Sequence, residues 1–312
     1  MKHLFVFFMA IVFVACSNDK KEKKAENTSS KDSSAVMQND SIPESVFKDS
    51  VAAIPTSESV KLKFDLLKGK TYAYRMNFDM SKQDGERKAS NTMKWNYEMK
   101  VLAEKAGVKT IQTTYKQIEM AMNMGEMKME FSSEKEVDPS NFMQMPSRMF
   151  KAIKGKSFTM QVNEKGEIIS VSGFDKIGEA MANEMNLPEN SKAMMMKNFK
   201  EQFSDESVKQ MFGQFFDVFP NKAVKPGDSW EKKSSFMDEI DMTTTYTVKN
   251  IKDSKVYLSS SSKLKEKGGT GSGTQKGSLI VDAETGLVLD ATFSQKLSGG
   301  GTSKGRIIGH QL

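Results

Sequence analysis

Apolar and polar side chains alternate along the chain from residue 72 to residue 131, and a two-residue period favours half-buried β-strands. Every second residue from Tyr72 to Met80 is apolar, and a second run alternates in the same way from Met93 to Val101. A turn sequence, Asp84-Gly85, follows the first run, so the two runs predict a hairpin. Residues 108–124 are rich in Thr, Ile and Tyr, and Gly125-Glu126 then leads to Met127, Met129 and Phe131. The first half of the body is therefore predicted to be an antiparallel meander.

The period changes between residues 174 and 219, where apolar residues recur every three or four positions, as on one face of an amphipathic helix. Pro188 within this block and Pro220 just after it are expected to interrupt or end helices, and Asn190 and Ser204 stand where helix N-caps are expected. The alternation then returns in further short runs. The fold class is predicted as β-rich α+β: a curved antiparallel sheet, open like a half-barrel, with an inserted helical lid at about 174–219.

A glycine followed by an aromatic residue three positions later occurs three times, and each pair is predicted to be a turn that starts a strand. The pairs are Gly69 and Tyr72, Gly155 and Phe158, and Gly227 and Trp230. Two hairpin sequences, Val162–Gly166 and Val281–Gly286, also match with one residue inserted. Internal duplication of a β unit explains these matches, and so does chance matching of turn residues.

The first sixteen residues have the form of an export signal. Lys2 precedes an uncharged apolar run of eleven residues, Leu4 to Val14. This length is within the roughly 7 to 15 residues typical of signal peptides and below the roughly 20 that a membrane-spanning helix needs. Phe13-Val14-Ala15-Cys16 resembles the bacterial lipobox. The resemblance implies that residues 1–15 are a lipoprotein signal peptide and that the mature chain is anchored to a membrane through an acylated Cys16. An unmodified signal peptide with an incidental cysteine is the alternative.

Residues 16–57 are predicted to be a disordered tether. The segment after Cys16 holds six lysines, seven acidic residues and many Ser and Asn side chains, with hardly an aromatic residue. Such a composition buries too little apolar area to offset the entropy lost on ordering. Residues 58–312 are predicted to form a single β-rich domain.

The composition argues against several kinds of chemistry. One cysteine and two histidines exclude disulfide scaffolds and Cys/His metal sites, and His310, close to the end of the chain, is a poor catalytic base. Residues 268–278 are glycine-rich, but Lys276 precedes Gly277 and a strand follows, so a hairpin tip is favoured over a phosphate loop. The formal net charge of +6 does not demand a nucleic-acid partner. We predict no catalytic residue, no metal, no cofactor and no nucleic acid, and hence no enzyme.

The chain contains 24 methionines, and three explanations compete for them. They serve as flexible core filler, they line an adaptable apolar cavity, or their thioethers bind Cu(I). The copper explanation is disfavoured because the body has no cysteine and only one histidine, close to the end of the chain. Met120, Met122 and Met124 share one strand face, and the helical block is rich in Phe. The candidate hydrophobic ligand-binding residues are Met120, Met122, Met124, Phe212 and Phe216. Truncating either Phe is predicted to reduce ligand retention more than stability.

Several of these features together resemble an uncharacterised lipoprotein family common in Bacteroidetes, of unknown function. They are the lipobox, the tether, the glycine-aromatic strand starts and the segment from Phe219-Pro220 to Trp230. More distantly, the predicted architecture is similar to lipoprotein carriers and related lipid-binding lipoproteins. The resemblance implies export and the fold. From the methionine and phenylalanine faces we predict an outer-membrane, cell-envelope lipoprotein that binds a lipid or other hydrophobic molecule without catalysis. The alternative is a structural or partner-binding lipoprotein in which the helices complete the core.

Overall fold

The computed structural model describes residues 59–84, 87–138, 140–185, 188–202, 205–216, 218–220, 222–236 and 240–312. The predicted signal peptide, the lipidation site Cys16, the tether and the predicted cap Ser204 lie outside the described residues.

Twelve antiparallel strands form one sheet in the described part of the chain. They are β1 (Thr71–Asp84), β2 (Arg87–Lys105), β3 (Val108–Met124), β4 (Met127–Ser132), β5 (Ser157–Val162), β6 (Ile168–Ser172), β7 (Ser229–Phe236), β8 (Ile240–Lys252), β9 (Lys255–Glu266), β10 (Ser272–Asp282), β11 (Val288–Leu297) and β12 (Gly301–Gln311). Their spatial order is β6-β5-β3-β2-β1-β12-β11-β10-β9-β8-β7, with β4 on the remaining part of β3. The sheet does not close into a barrel, because β6 and β7, the two ends of this order, do not pair with each other. The predicted fold class is confirmed.

Four α-helices are described: α1 (Met145–Ile153), α2 (Asp175–Glu184), α3 (Glu189–Gln202) and α4 (Asp205–Phe216). The predicted helical block contains α2, α3 and α4. Helix α1 was not predicted, and it begins with a proline in its first turn, where the missing N–H is no loss. The predicted N-cap Asn190 is wrong, because α3 already begins at Glu189. None of the described helices is both long and apolar enough to cross a membrane.

The two faces of the sheet differ in polarity because side chains alternate along each strand. We call inner the face of Tyr72, Tyr74 and Met76, whose side chains are all buried. The opposite, outer face carries charged and hydroxyl side chains such as Arg75 and Asp79, which are exposed. Helix α4 contacts both edge strands, β6 and β7, and so covers the gap that the open sheet leaves.

The three glycine-aromatic sequences form the same turn, as predicted. The φ angles of Gly69, Gly155 and Gly227 are +82°, +79° and +93°, which glycine adopts without steric cost. Each glycine N–H donates a hydrogen bond of 2.8 to 2.9 Å to a carbonyl oxygen of a neighbouring strand, and the next strand begins two residues later. The shared geometry explains the sequence match, while the duplication itself stays a prediction.

The two matched hairpin turns close the same end of the sheet, which we call the lower end. The backbone N–H groups of Phe64 and Asp65 donate hydrogen bonds of 2.8 Å to the carbonyl oxygens of Glu164 and Thr285, one in each turn. The segment 60–66 thereby lies across the lower end, and the buried side chains of Leu62, Phe64 and Leu66 fill it.

Candidate ligand-binding face

Phe212 and Phe216 on α4 point into the interior of the sheet, and each is 5% exposed. They line a small cavity of about 30 Å³ together with Tyr74, Met76, Tyr97, Met99, Thr113, Val288 and Ile307. A single water needs about 10 to 15 Å³ by the same kind of measure, so the cavity is far too small for an acyl chain.

Ring contacts hold Phe212 in this position. Its ring centroid lies 5.2 Å from that of Phe158 and 6.1 Å from that of Tyr97, and Phe216 meets Phe64 edge-on at 5.4 Å. Such pairs stabilise a core beyond the area that they bury. The lidded half of the inner face is therefore packed core in this structure.

The buried polar groups around the cavity remain neutral. Burial raises the pKa of the Tyr74 and Tyr97 phenols above the ordinary value. The Thr113 hydroxyl lines the cavity and has no hydrogen-bond partner among the described residues. This arrangement holds a small apolar space and one unpaired hydroxyl.

The methionines predicted with these phenylalanines lie elsewhere on the same face. Met120 and Met122 are buried at 3% and 6% exposure, whereas Met124, next to the β3–β4 turn, is 38% exposed. Their strand partners on β4 are Phe131, Met129 and Met127. None of the three lines the cavity beneath α4. The structure thus does not bring the five predicted residues into one site: the methionines belong to the half of the inner face away from the lower end.

An aromatic cluster occupies this second half of the inner face. The Phe78 ring centroid lies 5.7 Å from that of Trp95 and 5.7 Å from that of Phe293, which reaches Phe78 from a strand two positions away. Between them stands Gly305, where a Cβ atom would collide with the Phe293 ring. All three aromatic side chains are only partly buried. Together they form a partly open apolar surface.

A row of uncharged side chains, polar except for Met80, lies next to this cluster. The row crosses five neighbouring strands, β2, β1, β12, β11 and β10, and its members in that order are Asn91, Met80, Ser303, Gln295 and Gln275. Each lies two residues along its strand from the row that contains the aromatic cluster: Met93, Phe78, Gly305, Phe293 and Gly277. The Ser303 hydroxyl donates a hydrogen bond of 3.0 Å to Gln295 Oε1. We call the aromatic cluster and this polar row together the open groove.

Asn91 is the exceptional member of the polar row. It is 9% exposed, and its Oδ1 atom has no hydrogen-bond partner among the described residues. A buried acceptor without a partner costs about 1 to 3 kcal/mol, so most such groups in proteins are paired. Asn91 stands between Met80 and Met122 in the strand register. The open groove therefore borders one buried acceptor that has no partner among the described residues.

A charge cluster around the buried Lys109, near the lower end, has a structural role. The Lys109 side chain is 2% exposed, and its Nζ atom lies 2.8 Å from Asp65 Oδ1 and 2.9 Å from Glu104 Oε2. Burial lowers the pKa of Lys109, but the hydrogen bonds to both carboxylates outweigh burial and raise it overall. For Asp65, burial acts to raise the pKa, but the hydrogen bonds donated by Lys109 and Lys63 outweigh burial and lower the pKa overall. The cluster ties segment 60–66 to β3.

The remaining sequence predictions concern His310, the glycine-rich segment and metal binding. His310 is exposed on β12. Residues 267–271 form the tip of the β9–β10 hairpin, whereas residues 272–278, also predicted to belong to the tip, are part of strand β10. Within the described ranges, no group of three or more His, Cys, Asp and Glu side chains is arranged to hold a metal ion. The open groove was not predicted, although glycine at every fourth residue, Gly301, Gly305 and Gly309, marked a strand with little side-chain volume on its inner face.

The described residues define a β-rich α+β protein with a packed, lidded half and a partly open apolar half. Residues 106–288 match the model of a family of unknown function, DUF6263. This is more than half of the chain, and the protein belongs to that family. The predicted membership of an uncharacterised family is confirmed, whereas its restriction to Bacteroidetes lipoproteins stays a prediction.

No curated protein matches the chain. Among solved structures, one titled "Lipid-protein interactions in lipovitellin" aligns with a TM-score of 0.47 at 11% sequence identity, covering 80% of this chain and 25% of that chain. The chain thus spans about a quarter of the length of that structure's chain. A likeness at this score shows nothing about function.

Proposed function

We propose that the protein is a membrane-anchored cell-envelope lipoprotein that binds an amphipathic lipid or similar hydrophobic molecule in the open groove and does not change it chemically. The observation that carries this proposal is the partly exposed cluster of Phe78, Trp95 and Phe293 beside a neutral polar row. Binding sites for small hydrophobic molecules typically combine an apolar concave surface with a few placed polar groups.

The two parts of the groove favour two parts of a ligand. The aromatic rings and the neighbouring methionines offer contact area to an acyl chain or ring system, at about 25 cal/mol for each Å² of apolar area removed from water. Asn91 Oδ1 is a buried acceptor without a partner among the described residues, so a hydroxyl or amide N–H of a ligand that reaches it is the matching group. The polar row carries no formal charge, which favours a neutral head group.

The membrane anchor in this proposal rests on the resemblance of residues 13–16 to a lipobox. A cysteine at the end of a short apolar leader, followed by a segment of low hydrophobicity, suits a body held off a membrane by a tether. The placement in the outer membrane and the absence of catalysis are parts of the proposal.

Tryptophan fluorescence tests the groove directly, because the chain has two tryptophans and only Trp95 lies in the groove. Trp230 stands on edge strand β7, donates a hydrogen bond of 3.0 Å to the Val218 carbonyl oxygen and stacks on Tyr246. The variant Trp230→Phe reports on Trp95 alone, and Trp95→Phe is the matched control that reports on Trp230. Titration with a brominated fatty alcohol is expected to quench Trp95 saturably and to leave Trp230 unquenched.

Equal quenching of both tryptophans, or no saturable quenching of Trp95, would contradict binding in the groove. The second outcome would favour the alternative of a structural or partner-binding lipoprotein. That alternative has its own support in the close packing of Phe212 and Phe216, the residues through which α4 completes the core. A lipid extract of the purified full chain, analysed by mass spectrometry, would identify any molecule retained from the cell.

A further inference from the structure

The outer face of the second half of the sheet carries a regular array of lysines. In one row across the strands, lysines and threonines alternate on β7 to β12: Lys233, Thr243, Lys263, Thr274, Lys296 and Thr302. In the next row, Ser261, Lys276, Ser294 and Lys304 alternate on β9 to β12. The two rows are staggered, so that a lysine in one row stands beside a hydroxyl residue in the other. We call the five lysines the lysine array.

The spacing of the array follows from sheet geometry. Neighbouring strands lie about 4.8 Å apart, so lysines on every second strand recur about every 9.6 Å across the sheet. The rows are separated by two residues along a strand, about 6.8 Å. All five lysines are exposed, and none has an ion-pair partner among the described residues.

The acidic residues of the same face do not neutralise the array. Asp241 pairs with Lys267 at 3.4 Å, and Asp290 pairs with Arg306 at 2.8 Å. Glu231 and Asp79 flank the second row at its two ends. The middle of the face therefore keeps a positive charge with hydroxyl groups between the ammonium groups.

Protection of sheet edges does not explain this array. Lysines often guard an exposed edge strand against pairing with another chain. Here Lys263, Lys276, Lys296 and Lys304 stand on β9 to β12, each of which is paired on both sides. Their side chains project from the face of the sheet, where they repel one another without blocking any edge.

We propose that the lysine array docks the outer face of the sheet on an anionic lipid bilayer. The array extends in two dimensions over a face, and an extended charged surface is the partner that such a pattern matches. Single-stranded nucleic acids are usually bound by stacking bases on aromatic side chains, and neither row contains an aromatic residue. The membrane anchor of the proposed function would place such a bilayer nearby, but the docking does not require a ligand in the open groove.

The expected strength follows from the attraction between lysines and anionic lipids. Each lysine held near an anionic surface strengthens binding about fivefold at physiological ionic strength. Docking in this orientation turns the inner face, with its open groove, away from the bilayer.

Lysine labelling of the full chain on vesicles tests the proposal. The protein is incorporated through its N-terminal segment into vesicles of phosphatidylcholine alone or with phosphatidylglycerol, and the rate of amine acetylation at each lysine is measured by mass spectrometry. Lys263, Lys276 and Lys296 are expected to react at least about fivefold more slowly on the anionic vesicles. Exposed lysines on the helices, Lys151 and Lys176, are the controls and should react equally on both. The protection should disappear at about 1 M salt, where the screening length is about 3 Å.

Equal reaction rates of the array lysines on both kinds of vesicle would overturn the proposal. So would protection that appears only when a soluble polyanion such as heparin is added, because the partner would then be a polyanion. The triple variant K263Q/K276Q/K296Q should leave Lys304 unprotected on anionic vesicles, and these exposed positions tolerate glutamine in a strand. A chain that fails to join even the neutral vesicles would contradict the anchor in the proposed function, a result that is separate from the docking.

Discussion

Removing the Phe212 side chain is expected to destabilise the protein strongly, because the ring is part of the packed core beneath α4. Truncation of a buried Phe to Ala costs about 3 to 5 kcal/mol. Phe212 is 5% exposed and its ring contacts those of Tyr97 and Phe158. The vacated space joins the existing cavity of about 30 Å³. A residual cavity adds about 2.4 kcal/mol for each 100 Å³, which places Phe212→Ala in the upper part of the range.

A thermal melt measures this loss. At about 2 to 4 °C for each kcal/mol in a domain of this size, Phe212→Ala should lower Tm by roughly 8 to 20 °C. Met194→Ala on α3 is the control, because Met194 is 65% exposed and its truncation should change the stability by less than about 0.5 kcal/mol. The enlarged cavity is apolar, so benzene should raise the Tm of Phe212→Ala and leave that of the parent chain unchanged.

A Tm decrease of less than about 2 °C for Phe212→Ala would refute this reasoning. It would mean that α4 rests loosely on the sheet, as a lid over a ligand-filled space does. That result would support the prediction made from the sequence, in which truncation of Phe212 reduces ligand retention more than stability.

Three further changes have defined outcomes. Cys16→Ser should abolish incorporation of a labelled fatty acid, and labelling equal to that of the parent chain would exclude acylation at this residue. Asp65→Asn should make stability depend less on pH in the acid range. Hydrogen bonds donated by Lys109 help to lower the pKa of Asp65 in the folded state. The ionised carboxylate therefore stabilises the fold above about pH 4, and this stabilisation is lost as the pH falls through the lowered pKa. Gly166→Ala should reduce the free energy of unfolding, measured in urea, by more than Gly125→Ala does. Both glycines have positive φ, but only at position 166 would a Cβ collide with the backbone at the end of α4.

The strands and their faces were predictable because their cause is local. Burial of one face imposes the alternation from Tyr72 to Met80, and a positive φ at Gly69 selects glycine two residues before the strand begins. A local pattern, apolar residues at every third or fourth position, likewise predicted α2 and α4. Helix α1 was missed because it is only nine residues long and has Pro146 in its first turn, so its pattern is irregular when the contact with β4 is unknown.

The order of the strands and the candidate site were not predictable in the same way. The pairing of β1 with β12 joins distant parts of the chain and leaves no mark in a local pattern. The methionine face was found, but its separation from Phe212 depends on where α4 crosses the sheet. Likewise, Phe78 and Phe293 meet only because Gly305 on the strand between them has no side chain.

The central seam between β1 and β12 also sets the order in which the sheet is completed. Residue 72 pairs with residue 311 and residue 82 with residue 301, whereas most other pairs join neighbouring strands of one meander. Contacts between distant residues form slowly, and synthesis presents the N-terminal part first. Until β12 arrives, β1 and β11 are both unpaired edges in the middle of the future sheet, exposed to pairing with another chain. The two meanders are therefore joined by a single strand, and until β12 docks each meander keeps one edge open to pairing with another chain.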